Sequence, residues 1–302
     1  MAIHIDVTST RTISYEEYAE YLTEYVDMRD DAAVIASAEW LSALNNNKSL
    51  LLDILNRELT LDNYSPDSLF VSHHSLVIGR GVPKRGGVGF TVRLNIWPTL
   101  PATALTEAHK DRVEQSFSYG YPHDHSFTLL TAGFFGPGYE TDIYEHDPDA
   151  CIGKPDEPVA LRFLERARLA ENDILFFRKS NDIHVQIPPQ SISVSLNLLP
   201  EQASDGLTEQ FVFDLERRRI SGYIAGSRVS GRVAIVEAPG YFGIEESIPT
   251  LVDILASSPN ARVRSAALSS LLRLDKANRE RFISIASNDK SRFVREFVKE
   301  IA

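Results

Sequence analysis

The sequence predicts a mainly β fold with helical ends, and three observations carry that prediction. From about residue 65 to 200 the chain breaks into short apolar runs separated by glycine and proline clusters. Ahead of that region, apolar residues recur at helical spacing. Near Glu245 the helical texture returns and then repeats itself. These textures divide the chain into a helical segment over 1–64, expected to pack on the β region, a β-barrel or sandwich over 65–240, and a helical segment over 245–302.

The N-terminal segment opens its helix at Ser14, because Ser14 followed by Glu17 is a capping-box pair and Tyr18, Leu22 and Tyr25 follow on one face. A second helical stretch carries Ala38, Leu41 and Leu44, then Leu51, Leu52 and Leu55. Strands are expected at 69–78, 89–97, 126–135, 140–144, 159–169, 174–177, 183–187 and 192–199. The turns between them include GRGVPKRGG from Gly79, which lacks the GK[ST] ending of a phosphate loop and is expected to be a hairpin turn, and GFFGPG from Gly133. In the C-terminal segment two helices break at Ser258–Asn260, and a second helix pair follows. Val263–Arg264 and Val294–Arg295 stand at matching places one repeat apart.

Composition narrows the function. A formal charge of −11 argues against general nucleic-acid binding, which needs a basic surface, and is compatible with a small-molecule enzyme. The single cysteine, Cys151, excludes an intramolecular disulfide framework. No basic start leads into an apolar run, and no apolar stretch reaches the roughly 18 residues of a membrane span. The expectation is a cytoplasmic protein.

The chemistry sits in SYGYPHDHSFTLL and, about sixty residues later, in ENDILFFRKSNDIHVQIPPQ. Strand alternation would place His123 and His125 on one face, with Tyr119, Tyr121 and Phe127 sharing their parity. His184 follows a turn at Lys179–Asp182, and three imidazoles together suit iron, zinc, copper, nickel or a similar divalent ion. Glu140, Asp142 or Glu145 is an alternative ligand, and exposed strand-end acids are the competing account of all three. His146 reads as a surface residue, Arg178 as a turn residue, and at most one of His73 and His74 can face the interior.

The order of these parts resembles the two motifs of the cupin superfamily, whose fold is a jelly-roll β-barrel, over about residues 115–200. The usual cupin glutamate is absent, since Leu129, Leu130 and Thr131 stand where it would fall. The remaining set is similar to the three-histidine type of the cysteine dioxygenases, and the C-terminal segment resembles HEAT repeats. The resemblance implies metal ligands His123, His125 and His184, with non-haem Fe(II) as the cofactor and zinc, manganese, nickel or copper as alternatives. It implies that Arg93 holds a substrate carboxylate. Two features of that family are missing, because Leu130 stands near its crosslinking cysteine and Ser191, Ser193, Ser195 and Asn197 occupy the stretch where it has a tyrosine.

Beside the resemblance, Tyr119 or Tyr121 is a candidate proton or hydrogen-bond donor, and Gln186 shares the parity of His184 and is a candidate for orienting substrate. Three readings follow. One is an Fe(II)-dependent oxygenase acting on a small, amino-acid-like molecule and O2. A second is a non-redox metal enzyme, an isomerase or hydrolase. A third is a ligand-binding regulator that recruits a protein partner through its C-terminal helices. A homodimer is compatible with each.

Overall fold

The computed structural model describes residues 3–52, 56, 70–72, 74–100, 106–224 and 227–301. The expectations at Leu55, His73 and 61–69 lie outside them. The chain forms two compact units, one of residues 1–146 with 161–203 and the other of 147–160 with 204–302. Of the described residues 40% are helical and 26% are in strands, so "mainly β" holds for the middle of the chain and not for its whole length. The second unit, dominated by helices, shifts the balance.

In the first unit α1 (Tyr15–Tyr25) begins at a capping box: the Ser14 N–H donates to Glu17 at 2.8 Å and the Glu17 N–H donates back to Ser14 Oγ at 3.2 Å. Tyr18 and Leu22 are fully buried, whereas Tyr25, the last residue of the helix, projects into solvent. Short helices α2 (Asp31–Ala36) and α3 (Ala38–Asn45) follow, the latter burying Leu41 and Leu44. Helix α4 (Glu107–Ser116) was not expected. It is polar on every side and buries nothing, so it has no apolar stripe to read.

Among the described residues of the unit there are ten strands: β1 (Ile3–His4), β2 (Phe70–Ser72), β3 (Ser75–Gly81), β4 (Gly89–Trp97), β5 (Leu129–Phe135), β6 (Glu140–Glu145), β7 (Arg162–Arg168), β8 (Ile174–Phe177), β9 (Asp182–Ile187) and β10 (Ser193–Glu201). They form two antiparallel sheets, ordered β1-β8-β5-β10-β4-β3-β2 and β7-β6-β9. The segment GRGVPKRGG does join a hairpin, β3 to β4. GFFGPG does not. Strand β5 pairs with β8 and β10 while β6 pairs with β7 and β9, so this turn carries the chain from one sheet to the other. The crossing needs glycine: Gly138 has φ +81°, and a Cβ there would stand 2.1 Å from the Leu169 carbonyl oxygen.

Alternation sorts the seven-stranded sheet into two buried faces. Phe90, Val92, Leu94, Leu130, Ala132, Phe134, Ile174, Phe176, Val194, Leu196 and Leu198 join Tyr18, Leu22 and Leu41 in one core, so the N-terminal helices cover this face. Each fully buried Leu or Phe there contributes about 1.5–3 kcal/mol. The opposite face is more polar: Thr91, Asn95, Thr131, Ser193, Ser195 and Asn197 are buried on it, with Trp97, Leu129, Leu175 and Phe177 in a second apolar cluster.

The second unit holds a hairpin of β11 (Phe211–Asp214) and β12 (Arg219–Tyr223) and five helices: α5 (Arg228–Phe242), α6 (Ile248–Ser257), α7 (Ala261–Leu274), α8 (Arg279–Ser287) and α9 (Arg292–Ile301). Residues 204–240, expected to belong with the β region, therefore cluster with the C-terminal helices. The break at Ser258–Asn260 lies between α6 and α7. Val263 and Val294 are both core residues. Their neighbours Arg264 and Arg295 do the same work one helix pair apart, Arg264 donating to the carbonyls of Ser258 and Pro259, and Arg295 to those of Asp289 and Lys290. No helix among the described residues is long and apolar enough to cross a membrane.

Candidate metal centre

His123 and His125 do not lie in a regular strand, contrary to expectation. The chain from Tyr121 to Thr128 is irregular, with bends at Ser126 and Phe127, and it is held at two points. His123 forms an isolated antiparallel bridge with His184, N–H to carbonyl at 3.2 and 3.0 Å in the two directions. The Ser180 N–H donates to the His125 carbonyl at 2.8 Å. Both imidazoles nonetheless converge, and the bridge sets His184 directly opposite His123.

The result is a cluster in which one nitrogen from each of His123, His125 and His184 lies within 4.8 Å of the others. The Nε2 atoms of His123 and His184 are 3.1 Å apart. Two nitrogens bound at about 2.0–2.1 Å to one ion at a right angle would be about 3 Å apart, so this pair fits a shared metal. His123 Nδ1 lies 2.8 Å from the Tyr121 carbonyl, which can only accept, so that nitrogen carries the proton and a neutral His123 turns a lone pair inward at Nε2. The Nδ1 atoms of His125 and His184 are buried without a hydrogen-bond partner among the described residues. Burial holds the pKa of His123 below the ordinary imidazole value, and burial with the neighbouring histidines holds those of His125 and His184 well below it. Neutral imidazoles are the protonation state a metal requires.

The three histidines open onto a cavity of ≈ 100 Å³. Arg93 and Gln186 line it with them. Arg93 projects from β4 on the same face as Asn95 and Trp97, two and four residues on. Its Nε is shielded from solvent with no hydrogen-bond partner among the described residues, and its guanidinium carbon lies 5.9 Å from the centre of the Phe127 ring. Desolvation pulls its pKa down to about 10, which leaves it a cation at neutral pH. Gln186 sits two residues beyond His184 on β9, opposite Thr141, and its Oε1 is buried without a partner among the described residues.

The two candidate donors fall elsewhere. Tyr119 uses its hydroxyl on the Pro98 carbonyl at 2.7 Å, and Tyr121 contributes its carbonyl to His123. Neither lines the cavity. The tyrosine that does is Tyr139, buried beside Trp97 with ring centres 4.6 Å apart. Of the pair His73–His74, His74 also lines the cavity. No spacing signal pointed to Tyr139, because it follows the crossing between sheets, where strand parity cannot be carried forward.

The alternative carboxylate ligands are turned away. On β6, Thr141 and Ile143 are fully buried while Glu140 and Asp142 project the other way, pairing with Arg168 and Arg166 across to β7 at 2.6 Å each. Glu145 pairs with Arg162 and with Arg178, which also grips Asp182 at 2.5 Å. Arg178 stands just before the turn at 179–181, half-buried between Glu145 and Asp182. His146 is not on the surface: it is buried, with Nε2 3.6 Å from the buried carboxylate of Asp124.

No protein-family model and no curated protein matches this chain. Among solved structures it is similar to the vicilin from Solanum melongena, at 11% identity and a TM-score of 0.26 over 48% of this chain and 32% of that one. The chain thus spans about a third of the vicilin's length. It is similar to the DMSP lyase DddQ from Ruegeria pomeroyi DSS-3 at 12% identity and a TM-score of 0.24, covering 70% of this chain and 81% of that one. It is similar to a salicylate 1,2-dioxygenase from Pseudaminobacter salicylatoxidans at 9% identity and a TM-score of 0.23, covering 52% and 32%. At these scores none of the likenesses bears on the chemistry of this chain.

Proposed function

We propose that the first unit is a cupin-type metal enzyme of the three-histidine kind, a non-haem Fe(II)-dependent oxygenase that acts on a small carboxylate-bearing molecule and O2. The observation that carries this reading is the cluster of three neutral imidazoles, His123 and His184 buried and His125 half-buried, without a carboxylate among the described residues, opening onto a cavity that also holds Arg93. Ferrous iron held by such a set would keep its full 2+ charge and supply the one-electron chemistry that dioxygen requires.

This chain's own residues do the rest. The bridge between His123 and His184 fixes two ligands against each other before any ion arrives. Arg93 offers a planar cation that matches a carboxylate in two hydrogen bonds. Gln186 offers a buried acceptor to a second polar group of the substrate. Trp97, Leu129 and Phe177 shield the cavity walls from water. Residues 245–302 are read separately as a HEAT-like segment, on the matched roles of Arg264 and Arg295, and as a docking surface for a protein partner.

The test is metal analysis of protein purified without oxygen, beside His123→Ala and His184→Ala, followed by O2 uptake after Fe(II) addition. About one iron per chain, lost in both variants, together with iron-dependent O2 uptake supports the oxygenase. A bound metal with no O2 uptake under any substrate supports instead a non-redox isomerase or hydrolase on the same imidazoles. Metal-free protein with unaltered variants removes both readings.

A further inference from the structure

We propose that the chain forms a dimer through helix α5, laid antiparallel against α5 of a second copy across a twofold axis. This goes beyond the metal-centre reading and rests on none of it.

Helix α5 is apolar on two opposite faces. One face is already used: Val229 and Val236 are buried in the core of the second unit, and Val233 packs against it. Gly240 lies on that face, so close to α7 that a Cβ there would stand 2.7 Å from Ser270 Cα. On the other side Gly231, Ala234, Ile235, Ala238, Tyr241 and Phe242 follow at helical spacing. Ile235, Tyr241 and Phe242 are 74%, 68% and 76% exposed, so the largest apolar side chains of this stripe stand in solvent. Single exposed apolar residues are ordinary. A continuous stripe, on a helix whose opposite face is already packed, marks an interface.

The stripe is complementary to itself, which points to a second copy as its occupant. Its bulk lies at one end, in Tyr241 and Phe242, and its small residues at the other, in Gly231 and Ala234. Antiparallel pairing about a point between Ile235 and Ala238 sets Phe242 of each copy over Gly231 of the other. Nothing in its own chain calls for Gly231: a Cβ there would meet no neighbour within 4 Å, and glycine weakens a helix interior relative to alanine. An incoming aromatic ring supplies the reason. Charge agrees in direction. Arg228 and Arg232 stand in the first part of α5, and Glu245 and Glu246 lie just past its end. Among the described residues none of the four makes an ion pair with another side chain, and Arg232 donates to the carbonyls of Gly206 and Arg228. The antiparallel register brings Arg228 of each copy to Glu245 of the other, whereas a parallel pair would set Arg228 on Arg228 and Phe242 on Phe242. Exposed ion pairs add little affinity, so they set the orientation while the stripe supplies the attraction. The 15 residues of α5 make a seam about 22 Å long, short for a permanent dimer, so a concentration-dependent one with a Kd on the order of micromolar is expected.

Sedimentation velocity of the full chain, from about 1 µM to about 300 µM, reads the association. The mass is expected to rise from one chain to two across that range. Ile235→Glu sets like charges at the centre of the seam, and Gly231→Lys fills the place of the incoming ring. Each is expected to raise the dimer Kd at least about tenfold without lowering the unfolding midpoint, because Ile235 is exposed and Gly231 faces open space. Arg228→Glu and Glu245→Arg are each expected to weaken self-association, and an equimolar mixture of the two to restore it, since unlike charges then meet at both ends. A single-chain mass throughout, a dimer that the variants leave intact, or a mixture no better associated than its parts would overturn the proposal. So would a monomer destabilised by Ile235→Glu, because the stripe would then be covered within its own chain. The two readings fail separately. Wild type that dimerises without binding metal removes the oxygenase and leaves the dimer, while a monomer with its full iron content does the reverse.

Discussion

Strand β10 is shielded on both sides, and its two faces are unlike. Leu196 is 0% exposed and Asn197 is 2% exposed, so burial alone does not separate them. Val194, Leu196 and Leu198 meet the apolar core beneath the N-terminal helices. Ser195 and Asn197 face the interior between the sheets, where Asn197 accepts from Thr131 and Ser195 accepts from the Trp97 indole N–H at 3.0 Å. Polar groups are kept in such a place only when each finds a partner, in the wall or in a ligand. The lesson is that a buried face rich in polar groups marks the site, and an equally buried apolar face marks the scaffold.

The sharpest way to separate the faces is to damage the scaffold. Leu196→Ala is expected to cost about 2–5 kcal/mol in denaturant unfolding while metal bound per folded chain stays unchanged. A loss of metal in step with stability would mean that the faces are not independent.

A smaller effect comes from acid, and it acts on the site face. Burial lowers the pKa of His123, His125 and His184 in the folded chain, so protons bind the unfolded chain more readily. The stability that these neutral histidines contribute is present above their ordinary pKa of about 6.5 and is lost as pH falls below it, by up to about 1.4 kcal/mol per pH unit per histidine. Metal-free protein unfolded at pH 7.5 and 5.5 tests this, and a flat profile would break the account of a neutral triad.

The smallest effect is expected on the outer face of the three-stranded sheet. Asp142→Asn and Glu140→Gln should leave metal content where it is, because these acids pair with arginines away from the cavity. Loss of metal in either variant would return a carboxylate to the ligand set.

Much of this was legible in advance, for reasons visible in particular residues. Strands 89–97 and 174–177 were read at the bounds they have, since alternation or an apolar run ends sharply at turn residues there. The histidines were legible from the order of parts, an HxH pair followed some sixty residues later by a third histidine after a turn, and they do converge. Helix α4 escaped notice for want of an apolar stripe, and Tyr139 because it follows a change of sheet. Tyr119 shares a parity with His123 but spends its hydroxyl on Pro98, which no periodicity reveals.

By itself the sequence determined which side chains share a face within each strand, because the pleat repeats every two residues whatever surrounds it. It therefore determined that Arg93 travels with Asn95 and Trp97, and His184 with Gln186. Only the tertiary structure decided which of those faces meet. The glycine-bearing crossing at Gly136 to Gly138 sends β6 into the other sheet, and the bridge at His123 sets the register that turns His184 inward and Asp142 outward. Parity is local, whereas convergence of residues some sixty apart depends on which strands pair and in what register.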